Sequence, residues 1–147
     1  MFHFRFQSLL QLATAQRELQ QAALGEALAR WHQIAEQRRQ IAQQRRAAQT
    51  ERQSGRVGVL RLSSLLAQER FEQHLASEER RLAAAADALQ AEVDGCREAL
   101  QQADQEVRKL ELLRDQDHRA WTLRQAKAEQ MLLDERAARA LSAFVKT

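Results

Sequence analysis

The sequence has no proline and no tyrosine, only four glycines, a single cysteine, and aromatic residues at 5%. Each shortage excludes something. Without proline, no position carries the ring that removes a backbone donor and breaks a helix. The lone Cys96 permits neither an intrachain disulfide nor a cysteine-based zinc site. So few aromatics argue against a compact globule, whose core they normally dominate. Long apolar runs are missing too: no stretch approaches the roughly 18 residues that a membrane span requires. The opening Met1–Leu12 is apolar but interrupted by Arg5, Gln7 and Gln11. It therefore lacks the unbroken apolar region of a secretory signal, and the expected location is the cytoplasm.

What fills the chain instead is Ala, Gln, Leu, Arg and Glu, all strong helix formers. The mean hydropathy is −0.61, yet Leu and Ala recur along the whole length, which separates this composition from a disordered one. The formal charge of +3 is unevenly spread. Residues 1–60 carry nine basic and four acidic side chains, and residues 61–147 carry fourteen and sixteen. Such asymmetry fits nucleic acid, an acidic partner, or pairing between the two halves.

The periodicity predicts one coiled-coil domain over residues 1–147. A first helix runs from about 4 to 52, a turn from about 53 to 62, and a second helix from about 63 to 144. On the first helix, Leu10, Arg17, Leu24, Trp31, Arg38 and Arg45 share one heptad position. Ala13, Gln20, Ala27, Ile34, Ile41 and Ala48 share the other. That seam is good from Leu24 to Ile41 and weakened elsewhere by Arg17, Gln20, Arg38 and Arg45. Gly55 and Gly58 beside Ser54 mark the turn, and Ser63 or Ser64 can cap the helix that follows. The second seam is Leu75, Leu82, Ala86, Leu89, Val93, Cys96, Leu100, Ala103, Val107 and Leu110, with Cys96 a small core residue on it.

If the chain reverses near Gly55–Gly58, antiparallel partners carry residue numbers adding to roughly 115. Leu10 then faces the region of Leu110, Trp31 faces Ala85 and Ala86, and Ile41 faces Leu75. The fold class is all-α, a long antiparallel two-helix coiled-coil hairpin with unequal arms. The arms measure about 75 Å and about 120 Å at the rise of an α-helix. The excess, from about Arg114 to Phe144, is expected to lack an intramolecular partner. It carries Trp121, Leu123, Met131, Leu132, Leu133, Leu141 and Phe144, so it reads as a docking surface. A break at Gly95 is the competing arrangement. A glycine in a helix interior costs about 1 kcal/mol and need not break it, so a continuous helix is expected.

Catalytic chemistry finds no foothold, and no enzyme or cofactor is expected. No glycine pair has the spacing of a phosphate loop ahead of a lysine. His32 with Glu36 and His74 with Glu78 stand four apart, but each pair lacks a third ligand and reads better as a surface pair. The basic run Arg30, Arg38, Arg39, Arg45, Arg46, Arg52 and Arg56 could follow phosphates. It has no interleaved aromatics, so a solvated face or an acidic protein contact is preferred and no nucleic acid is expected.

The two ends carry a resemblance. Phe4-Arg-Phe-Gln-Ser-Leu-Leu-Gln-Leu is similar to the opening of the FliJ family, the small coiled-coil component of flagellar type III export. Val107-Arg-Lys-Leu-Glu-Leu-Leu-Arg-Asp resembles the family's basic-leucine stretch. Glu129-Gln-Met-Leu-Leu-Asp-Glu-Arg-Ala resembles its closing signature. The resemblance implies a hairpin similar to the central stalk of rotary ATPases. Such a protein promotes ring assembly of the export ATPase FliI and links it to the export gate protein FlhA, with export chaperones as further partners. It would sit in the cytoplasm, peripherally at the inner membrane. The implied ATPase-binding residues are Phe6, Leu9, Leu10, Arg114, Arg119, Trp121, Met131, Leu133 and Phe144. Phe71 and Leu75 match the implied gate-binding pair. The alternatives are the equivalent stalk of a virulence injectisome and a scaffolding or nucleic-acid-binding coiled coil.

Overall fold

A computed structural model of the chain describes residues 1–54 and 62–146. It is an all-α helical hairpin of two long helices packed against each other, α1 (Gln7–Ser54) and α2 (Leu62–Val145). The turn expected at Gly55–Gly58 lies outside the described residues, as does Arg56. α2 begins at Leu62, so Ser63 and Ser64 stand in its first turn rather than at its cap.

α2 passes through Gly95 without a break, so the continuous helix is the arrangement found. A Cβ built on Gly95 would meet nothing within 4 Å, and the same holds for Gly25 in α1. Both glycines therefore cost backbone entropy without serving a close approach. Replacing Gly95 by Ala is expected to stabilise the protein by about 1 kcal/mol, which thermal unfolding followed by circular dichroism would show as a rise of about 2–4 °C.

Residue contacts divide the hairpin into two compact units, each containing a piece of both helices. The first is Met1–Glu18 with Gln102–Thr147. Its core is Phe4, Leu10 and Val107, with Phe2, Phe6, Ala13, Leu110 and Leu113 packed against them. Leu10 thus meets the region of Leu110, as the heptad pattern predicts. α1 starts at Gln7 rather than near residue 4, and the phenylalanines explain the difference. On a helix, residues 2, 4 and 6 would point to different sides, whereas a non-helical path lets alternate residues share one face. The chain takes the second course, and the Gln7 N–H donates to the Phe4 carbonyl (3.2 Å) where the helix begins.

Arg17 occupies an apolar heptad position in this unit. Its guanidinium lies 3.6 Å from Asp104, and its Nε is buried without a hydrogen-bond partner. Asp104 has a second cation, Arg108, at 3.0 Å. A buried donor left unpaired costs about 1–3 kcal/mol, so Arg17→Leu is expected to gain about 1 kcal/mol. The check is a urea midpoint that rises with an unchanged slope.

The second unit is Leu19–Gln101. Ala27, Leu75, Leu82 and Val93 are its buried apolar side chains. The heptad positions read from the sequence are buried or half-buried throughout both helices, with one exception, Arg38. Cys96 is a half-buried free thiol on the α2 seam.

Ion pairs join α1 to α2 in this unit: Arg30 with Glu92, Arg45 with Glu79, and Arg52 with Glu72 at 3.0 Å. The residue numbers in these pairs add to roughly 122–124 rather than the roughly 115 expected from the apolar pattern. Side-chain direction accounts for the offset. Each long side chain leans toward the N-terminus of its own helix, so antiparallel partners meet only when both stand further along their chains. The charge asymmetry of the sequence is in this respect pairing between the two halves.

Candidate protein-docking site

A docking helix needs apolar side chains that its own fold leaves uncovered. In the first unit, every residue from Thr122 to Lys146 is exposed. Leu123, Met131, Leu132, Leu133 and Leu141 are all at least half exposed, and Phe144 is 81% exposed. The sequence places the start of this stretch too early. Arg114, Asp117 and Trp121 are half-buried. Phe2 makes an edge contact with His118 (ring centroids 5.0 Å apart) and lies 5.9 Å from the Trp121 ring. The non-helical N-terminus thus supplies Trp121 with a partner, and the uncovered helix begins one residue later.

The implied ATPase-binding residues fall into two groups. Phe6, Leu10 and Trp121 are packed into the aromatic end of the first unit. Leu9, Arg119, Met131, Leu133 and Phe144 are exposed. Arg114 is half-buried, with Asp115 at 3.7 Å. It also borders a shallow groove of about 350 Å³ with Gln7, Leu10, Gln11, Glu18 and Glu111. Periodicity missed Leu132 and Leu141 as members of any seam, since neither shares the heptad position of the paired portion. Their signal was simply their apolar character within a long, otherwise charged helix.

In the second unit, Phe71 is 49% exposed whereas Leu75 is 2% exposed. Leu62, Leu65 and Leu66 are exposed a little earlier on α2. Together with Arg45, Arg52, Glu69, Glu72 and Ala76 they line a groove of about 610 Å³. This end of the unit is therefore more open than the part around Leu82 and Val93.

The basic run is largely engaged. Arg30, Arg45 and Arg52 pair with acids of α2, and Arg39 pairs with Glu36 on its own helix. Glu36 and Glu78 are thereby occupied by arginines, since Arg81 donates to Glu78 at 2.8 Å. That hydrogen bond holds the Glu78 carboxyl below its ordinary range, the Arg81 charge adding to the effect. No group of three metal-ligating side chains occurs among the described residues. No helix among them is long and apolar enough to cross a membrane.

A comparison with family models matches residues 2–143 to the flagellar FliJ protein. The chain belongs to the FliJ family. The match covers nearly the whole chain, both helices included. As a FliJ-family protein it is flagellar export-related. Searches of curated proteins and of solved structures each found no match.

Proposed function

We propose that this FliJ-family protein promotes assembly of the export ATPase ring and couples that ring to the export gate. The exposed arm Thr122–Lys146 is the observation that carries the reading. A helix with this many uncovered leucines gains free energy only when a partner covers them, at about 25 cal/mol per Å² of apolar surface buried. In this family the fitting partner is the FliI ATPase hexamer. Phe71 is the exposed member of the pair assigned to FlhA, and export chaperones are further partners of the same assembly. The protein would act in the cytoplasm, at the inner-membrane face of the export apparatus. A nucleic-acid role finds less support, because Arg30, Arg45 and Arg52 already have carboxylate partners.

The test is FliI ATPase activity and ring formation, with and without a stoichiometric amount of this chain. Higher activity and more rings in electron micrographs are expected. No change in a demonstrably active ATPase would count against the reading. Charge reversal by Arg114→Glu together with Arg119→Glu is expected to lower the stimulation several-fold through lost electrostatic complementarity. Undiminished stimulation would move the contact away from that part of α2.

A further inference from the structure

Leu75 raises a physical difficulty that Phe71 does not. It matches half of the pair assigned to the export gate, yet it is 2% exposed. A side chain so covered cannot meet another protein while the helices stay as they are. The seam beside it is unusual for this hairpin. Along most of the second unit the seam is Leu, Ala, Val and Ile. Around Leu75, beside the apolar Ile41 and Ala48, the heptad positions also include Arg45 and Arg52 on α1 and Glu72 and Glu79 on α2.

Glu72 stands three residues before Leu75, and Glu79 four residues after it. The pairs Arg52–Glu72 and Arg45–Glu79 therefore clasp the helices on either side of this leucine. Leu75 is also the first buried residue of α2 among those described, and the groove lined by Leu62, Leu65, Leu66, Glu72 and Ala76 adjoins it. The side chains of all four clasp residues are 30–55% exposed. Ion pairs of that exposure are weak and are screened by salt. Apolar layers have no such sensitivity.

We infer that the two ion pairs form a releasable clasp over Leu75, and that opening it adds this leucine to the exposed surface of Phe71, Leu62, Leu65 and Leu66. The closed hairpin hides part of its own docking site. Local parting of the seam uncovers it, without disturbing the layer at Leu82 and Val93. The assignment of that surface to the gate rests on the function proposed above, but the opening itself does not.

Hydrogen–deuterium exchange on the full chain separates the two. Raising ionic strength from about 0.05 M to about 0.5 M, which shortens the screening length roughly threefold, is expected to speed exchange several-fold at residues 72–79. Residues 82–89, whose seam positions Leu82, Ala86 and Leu89 are apolar, should be unaffected. A chain with apolar layers in place of both clasps (Arg45→Leu, Glu79→Leu, Arg52→Leu and Glu72→Leu) should lose that salt response. It should also bind FlhA at least tenfold more weakly than the parent chain, with Phe71 untouched. Salt-independent exchange at 72–79 would overturn the clasp whatever FlhA does. Undiminished FlhA binding by the apolar variant would overturn its role in docking. Failure of the parent chain to bind FlhA, alongside salt-dependent exchange, would uphold the clasp and remove the gate assignment instead.

Discussion

Deleting residues 122–147 is expected to abolish stimulation of the export ATPase while leaving the thermal midpoint of the remaining chain nearly unchanged. Every residue from Thr122 to Lys146 is exposed, so their removal uncovers no core. The cut spares Trp121 and hence its contact with Phe2. Function is affected quite differently. Burying a leucine or methionine on a partner is worth about 1.5–3 kcal/mol. Losing Leu123, Met131 and Leu133 together therefore removes several powers of ten in affinity, at about 1.4 kcal/mol per tenfold. Circular dichroism melting and an ATPase assay on the same preparation check both halves. A large fall in the midpoint would mean that the arm stabilises the hairpin. Full stimulation by the shortened chain would place the ATPase contact elsewhere.

The seam of this hairpin was legible because heptad spacing is a local property of the sequence. Leu10, Ala27, Leu75, Leu82, Val93 and Val107 all fall on positions the spacing picks out, and all are buried. Continuity through Gly95 followed from the modest cost of glycine in a helix. Two features were harder to see. The ion pairs between the helices are one, because they do not follow the apolar register. The pairs Arg30–Glu92, Arg45–Glu79 and Arg52–Glu72 depend on how far and in which direction long side chains lean, which residue spacing does not encode. The N-terminus is the other. Phe2, Phe4 and Phe6 alternate as in an extended segment, but the helix-forming residues around them hid that short period. Family resemblance named Phe6 and Trp121 as docking residues, and Leu75 likewise. Whether each is covered depends on tertiary packing, which no motif reports.

The phenylalanine segment gives the second large expectation. Phe4→Ala should destabilise the first unit by about 3–5 kcal/mol, the usual cost of truncating a buried phenylalanine. Phe4 is 4% exposed and shares its cluster with Leu10 and Val107, so the substitution empties the centre of that cluster. Against a total stability of about 5–15 kcal/mol for a typical domain, this is a large fraction. Phe2→Ala should cost less, about 1 kcal/mol, because Phe2 is half-buried and loses mainly its ring contacts with His118 and Trp121. In a Trp31→Phe background, Trp121 is the single tryptophan and its fluorescence reports the site directly. Phe2→Ala should shift that emission to the red with little change in the unfolding midpoint, and Phe4→Ala should move both. The same ordering should appear in amide exchange at residues 7–18 and 102–121, which the folded N-terminus protects. Equal effects from the two substitutions would mean that the segment packs through its whole length rather than through Phe4.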